Sequence, residues 1–199
     1  MPIQPWNIVF LFGFLAYVAI RGVFERRTRG TEMAVRRVDG RERTLMAIVF
    51  LGCLLLPVLY LFTPWLAFAD YRLPAIVPWC GTVVMVAALG LFWRSHADLG
   101  QNWSVTLELR KGHQLVKHGV YRSIRHPMYA AILLFGLGQA LLLENWLAGW
   151  SAFVTFALMY LLRTPREEHL MCDYFDQEYR DYMQKTGRLF PHLKINKSL

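Results

Sequence analysis

The chain has 199 residues, 55% of them hydrophobic and only 18% charged, well below the roughly 25% charged residues of an ordinary soluble domain. This points to a membrane protein, and a net charge of +8 without a basic stripe among exposed aromatics, a zinc motif or a helix-turn-helix pattern argues against a nucleic-acid partner. Cys53, Cys80 and Cys172 are widely spaced, with no CxxC pair and no histidine at ligand spacing, so they read as packing residues and imply neither a disulfide framework nor a metal site.

Five apolar segments follow in chain order, at about residues 6–24, 45–68, 76–93, 128–143 and 146–162. A spanning helix needs roughly 20 apolar residues, within a range of about 17 to 25, so the first, fourth and fifth are marginal alone. The last two are parted only by Glu144 and Asn145 and read as a tight helical hairpin, with Gly136 and Gly138 allowing close packing inside it. Arg21 interrupts the first segment near its end, where a long side chain can snorkel to the interface. No Lys or Arg precedes that segment and a basic stretch follows it, which favours a retained span over a cleaved leader.

The basic residues set an expected orientation. Eight Arg lie from Arg21 to Arg43, six Lys or Arg from Arg94 to Arg125, and seven from Arg163 onward, which leaves only Arg72 elsewhere. By the positive-inside rule those three segments are cytoplasmic, and the short connections near Asp70 to Leu73 and at Glu144-Asn145 face out. An odd number of spans then places the N-terminus outside and the C-terminus inside.

Two of the basic segments carry ordered features. In the first, Gly100 and Asn102 suggest a turn, VTLEL alternates like a strand, and Lys111-Gly112 and His118-Gly119 are further turn signals. It enters the fourth span through Arg125-His126-Pro127-Met128-Tyr129, with Pro127 suited to the first helical position because it has no N–H to leave unsatisfied. An interfacial helix start explains these residues without chemistry, and Arg125 has two readings, a headgroup anchor and a catalytic aid. In the second segment Pro165 is placed to begin a helix, Glu167 and Glu168 suit its first turn, and Lys185 and Gly187 suit its end. Leu170, Tyr174, Phe175, Tyr179, Tyr182 and Met183 would give that helix a broad apolar face for docking on the membrane domain. Arg163 and Glu167 lie four residues apart on one face, at the expected depth of the RHPMY segment.

The series GHQLVKHGVYRSIRHPMYA, a helical hairpin, and RTPREEHLMCDYFDQEYRDYMQKTGRLFP closely resembles the isoprenylcysteine carboxyl methyltransferase family, especially its short prokaryotic members. The resemblance implies a single methyltransferase domain over residues 1–199, an all-α integral membrane protein of five transmembrane helices. Cytoplasmic cofactor segments at about 100–129 and 163–192 would complete it, the latter as a C-terminal amphipathic helix. It further implies S-adenosyl-L-methionine as methyl donor and a lipophilic or prenylated acceptor reached from the membrane lipids, most naturally a prenylcysteine carboxylate. By matching positions, the cofactor contacts are His113, Gln114, Leu115, Val116, Tyr121, His126, Pro127, Met128, Tyr129 and Glu167, and Arg163 corresponds to the acceptor-binding arginine. A glutamine that eukaryotic members use upstream has no counterpart, which leaves the stretch Asn102 to Glu108 as candidates for that wall.

The residue chemistry agrees with these roles. Tyrosine faces suit an adenine or a sulfonium, a carboxylate suits ribose hydroxyls or an ammonium group, and an arginine fork suits an acceptor carboxylate. A carboxylic acid of pKa about 4 is already ionised at neutral pH, so no general base is needed. Three other readings remain open: a methyltransferase of a phospholipid amine or small hydrophobic thiol, a sterol-reductase-like enzyme using NADPH, and a non-enzymatic structural membrane protein that binds neither cofactor.

Overall fold

The structure, a computed structural model, describes residues 4–28, 33–36, 39–102, 108–110 and 114–192. Among the described residues seven α-helices follow in order: α1 (Pro5–Arg27), α2 (Gly40–Phe50), α3 (Leu56–Phe62), α4 (Ile76–Leu99), α5 (Pro127–Leu142), α6 (Trp146–Phe175) and α7 (Gln177–Lys185). A short antiparallel ribbon of β1 (Met33–Arg36) and β2 (Glu108–Arg110) departs from the expected all-α fold, and VTLEL contributes its last two residues to it.

Among the described residues four helical stretches are long and apolar enough to cross a membrane: Pro5–Arg27, Gly40–Phe62, Ile76–Leu99 and Trp146–Phe175. The fourth expected span, α5, has 16 residues, about 24 Å at 1.5 Å per residue against the roughly 30 Å of a hydrocarbon core. It is instead the central packing element, against α4, α6 and α1. Phe12, Phe62, Val83 and Leu161 present apolar side chains on the outside of the bundle, at 65% exposure or more, as lipid contact requires.

The second span is shifted from its expected place. It starts at Gly40, where the Asp39 side chain accepts from the Glu42 N–H at 2.9 Å, and stops at Phe62 because Thr63, before Pro64, is extended. A π-helical turn, Leu51–Leu55, joins α2 to α3, beside Pro57, which has no N–H to offer the Cys53 carbonyl. Gly52 lies in this turn, and its carbonyl accepts from Ser151 Oγ at 2.7 Å. A Cβ on Gly52 would stand 2.6 Å from the Ser151 carbonyl oxygen, so α6 and the π turn pack backbone to backbone.

The α5–α6 hairpin forms as expected. Asn145 caps α6 by accepting from Leu147 and Ala148 N–H groups, and its amide donates to the Leu66 carbonyl and to Asp70. Gly136 meets the Phe153 backbone within the hairpin, whereas Gly138 faces Met85 of α4, outside it. The chief correction concerns Pro165, which lies inside α6 and starts no helix. The chain breaks at Asp176, with φ of 45°, and α7 follows as a separate helix.

Candidate active site

The segment before α5 is fixed from two sides. Gly119 has φ of 57°, a conformation glycine adopts readily, and a Cβ there would collide with the Asp98 carboxylate. Asp98, at the end of α4, accepts from the Val120 N–H at 2.8 Å and so ties down the turn that carries Tyr121. Further on, the Arg125 and His126 N–H groups donate to the Gly187 and Arg188 carbonyls at 2.8 and 3.0 Å, and Gly187 N–H donates to Ser123 at 3.2 Å. The chain after α7 is thus stitched to RHPMY just where Pro127 begins α5.

Glu168 is the hub of the polar network below. Its carboxylate accepts from Arg125 Nε at 3.0 Å, contacts His126 Nε2 at 3.3 Å and accepts from Arg188 Nη2 at 2.6 Å. Arg125 Nη1 also donates to the Met183 carbonyl at 2.9 Å and to the Thr186 carbonyl. Arg125 therefore clamps the start of α5, α6 and the turn after α7 and is no headgroup anchor: its side chain is 9% exposed and held by protein. The neighbouring acid, Glu167, turns the other way and accepts from Tyr129 Oη at 2.7 Å.

These elements enclose a cavity of about 540 Å³. One α6 stripe runs its length: Phe156, Met159, Arg163, Glu167 and Leu170, at helical three- and four-residue spacing. At the Glu167 end the wall is polar and aromatic, from Leu115, Val116, Tyr121, His126 and Tyr129. The cavity's other side is an arm from α1 and α2 that is apolar apart from Arg21, with Phe14, Val18, Met46, Val49 and Phe50, and Tyr129 reaches it through a ring contact with Phe156 at 5.6 Å. Arg163 falls between Met159 and Glu167 along α6, and its Nη1 lies 3.3 Å from Glu42 Oε1 of α2.

The structure brings together most of the residues expected from sequence. Gln114, Leu115, Val116, Tyr121, His126, Met128, Tyr129, Arg163 and Glu167 all line the cavity. Pro127 is buried at the first position of α5 and outside that wall, so it acts through the backbone. His113 lies outside the described residues, as do 103–107. Asn102, the first of the stretch left for the missing glutamine, lines the cavity and accepts from the Gln114 N–H at 3.2 Å.

Sequence reading missed four contributors: Glu42, Glu168 as the partner of His126, and Tyr179 and Tyr182 of α7 in the cavity wall. Arg21, read as a snorkelling residue, also lines the cavity. Burial, with the Glu167 charge nearby, raises the Tyr121 phenol. Burial likewise pushes Tyr182 up to about 12 against the nearby Arg125 charge. Both hydroxyls stay protonated at neutral pH, and Tyr182 Oη donates to the Tyr121 backbone carbonyl at 2.6 Å. At the rim, the hydrogen bond from Arg166 holds the Asp39 carboxyl down at about 2.

Residues 79–173, which include most of α4, all of α5 and most of α6, match the model of the isoprenylcysteine carboxyl methyltransferase (ICMT) family. The motifs that carry the resemblance fall within this match as far as Asp173. A probable protein-S-isoprenylcysteine O-methyltransferase of Oryza sativa subsp. indica is 33% identical over 82 residues, 41% of this chain and 43% of that protein. The protein-S-isoprenylcysteine O-methyltransferase of Tribolium castaneum is 29% identical over 139 residues, 65% of this chain and 50% of that protein. The cobalt-zinc-cadmium resistance protein CzcN of Cupriavidus metallidurans is 32% identical over 120 residues, 59% and 55% of the two chains. This chain spans about half the length of the curated relatives it matches. The solved structure of the eukaryotic intramembrane Ras methyltransferase ICMT superposes on 96% of this chain and 69% of its own, with a TM-score of 0.60 and 21% identity. That likeness shows the fold, and with the apolar helices it makes this a multi-pass membrane protein.

Proposed function

We propose that the protein is an S-adenosylmethionine-dependent methyltransferase of a lipophilic carboxylate, most naturally a prenylcysteine-like acceptor, working at the cytoplasmic face of the membrane. The observation that carries this is the cavity, with a polar, aromatic end and an apolar arm both bordered by the α6 stripe that carries Arg163. The match of residues 79–173 to the ICMT family supports the reaction class, and the distribution of Lys and Arg supports the side of the membrane.

The residues at the polar end fit the methyl donor. Tyr121 and Tyr129 supply aromatic faces, Glu167 a carboxylate already engaged by one phenol, and Leu115 and Val116 apolar cover. S-adenosylmethionine, when bound, supplies a methyl group activated on a sulfonium. His126 is held in one orientation by Glu168 and shapes the wall beside it. Arg163 holds the acceptor carboxylate by charge-assisted hydrogen bonds and aligns one oxygen for displacement. Phe156, Met159 and the α1 and α2 side chains keep water from that carboxylate and receive the lipid chain. No residue has to remove a proton.

The test uses purified protein in detergent with S-adenosylmethionine labelled in the methyl group. It is offered N-acetyl-S-farnesylcysteine, phosphatidylethanolamine and an alkyl thiol. Base-labile label on the first is the expected result. Label on either of the others with none on the first would refute the carboxylate assignment and move the acceptor to a phospholipid amine or a thiol.

A further inference from the structure

Two ion pairs join the start of α2 to α6, and they are in register. Asp39 Oδ2 lies 2.7 Å from Arg166 Nη2, and Glu42 Oε1 lies 3.3 Å from Arg163 Nη1. Each acid and each base is three residues from the next on its own helix, so the pairs are successive turns of one antiparallel contact. That contact continues inward to Gly52 against Ser151 and Thr155.

The two pairs differ in environment. The outer side chains are 48% and 37% exposed, whereas Glu42 is 2% and Arg163 9% exposed. A carboxylate so deeply buried is not explained by stability, because apolar groups of similar volume usually serve a buried position as well or better. Capping does not explain it either. In a capping box the acid three residues into the helix turns back to the cap N–H, but the Glu42 side chain is turned into the bundle, toward Arg163.

Arg163 sits between two acids, Glu42 across the helix contact and Glu167 one turn along α6, and both charges act on it. Of those acids, Glu167 lines the cavity, and Glu42 belongs to the helix that carries its apolar arm. Glu167 stands with Tyr129 at the polar end, while α2 carries Met46, Val49 and Phe50 along the apolar arm.

We infer that Glu42 is a positioning residue for the acceptor: it draws the Arg163 guanidinium toward α2 and the apolar arm, and away from Glu167. The inference rests on Arg163 being the ligand of an acceptor carboxylate. A guanidinium offers five N–H donors in a planar fork, so one edge stays on Glu42 while another meets the acceptor. Glu42 thereby sets the place and angle at which the acceptor oxygens are presented. Asp39 and Arg166 hold the helix start that carries it.

The test compares wild type with Glu42→Gln, which keeps the size and removes the charge, and Glu42→Asp, which keeps the charge and retracts it by one methylene. Calorimetry measures binding of N-acetyl-S-farnesylcysteine and of its carboxamide, and separately of S-adenosylmethionine. Wild type should prefer the carboxylate. Glu42→Gln is expected to cut that preference about tenfold, Glu42→Asp by a smaller factor, with cofactor affinity within about twofold. A merely structural Glu42 would lower the melting temperature and leave the carboxylate-to-amide ratio untouched. An unchanged ratio in whichever variant folds overturns the inference. A wild-type protein that fails to distinguish carboxylate from amide overturns instead the role of Arg163.

Discussion

Substituting Glu168 by Gln removes the charge on which three cations converge while preserving the shape of the side chain. Two of its partners are buried, with Arg125 at 9% and His126 at 4% side-chain exposure, and the third, Arg188, is half exposed at 51%. Removing one partner of a buried pair costs roughly 3–5 kcal/mol, and an exposed pair is worth about 0–1 kcal/mol. Arg125 keeps the Met183 and Thr186 carbonyls, and the new amide oxygen still accepts one hydrogen bond. The expected loss is therefore at the lower end, about 3 kcal/mol. For a chain of this size that lowers Tm by about 6–12 °C. Tryptophan fluorescence during heating in detergent measures it, with Arg188→Gln as the control that loses only the exposed contact. A shift in Glu168→Gln no larger than in Arg188→Gln would refute the view of Glu168 as the hub.

Three further outcomes follow from the geometry. His126→Ala and Glu167→Ala should each weaken S-adenosylmethionine binding about tenfold, while Arg163→Ala should mainly reduce acceptor turnover; unchanged cofactor affinity in both of the first two variants would remove them from that wall. Gly52→Ala places a methyl group against the Ser151 carbonyl oxygen, where the backbone of α6 cannot yield, and should cost about 1–3 kcal/mol in thermal stability; wild-type melting behaviour would show that the helices are not in that contact. Tyr182 is an acid whose folded pKa is raised to about 12, so its contribution is complete below the unfolded value of about 10 and is lost as pH rises toward 12. Alkaline unfolding followed by circular dichroism should therefore be less steep in Tyr182→Phe over that window, and identical profiles would count against the buried phenol.

What the sequence disclosed was local, and what it hid was pairing across the chain. The apolar runs and the Glu144-Asn145 break are written in neighbouring residues, so the turn of the hairpin could be placed to within a residue or two, although α6 runs on to Phe175, past its expected end at 162. Arg163 and Glu167 are one helical turn apart and could be put on one face without knowing the fold. Glu42, by contrast, looks like half of an ordinary helix cap beside Asp39, and nothing nearby indicates that its side chain meets an arginine 121 positions later. Pro165 misled for a physical reason. Proline is favoured at a helix start, but inside a helix it forfeits one hydrogen bond and strains one turn, a cost that α6 sustains because Arg163, Thr164, Glu168 and Leu170 are all buried around it. Glu168 was legible as an acid near a helix start and illegible as a partner of His126, since that contact depends on how α5 and α6 are rotated.

The stitch between residues 123–126 and 187–188 bears on the order in which the protein becomes competent. Ribosomes make the chain from its N-terminus, so α1 to α6 can enter the bilayer and pack before Gly187 exists. The wall carrying Tyr121 and His126 then has no backbone partner on one side, and Arg125 lacks its Thr186 acceptor. Only after the residues beyond α7 fold back does the polar end of the cavity gain a rigid outline. That end of the cavity is thereby completed only after insertion, and a nascent or C-terminally clipped chain would sit in the membrane with its helices assembled and this wall unformed.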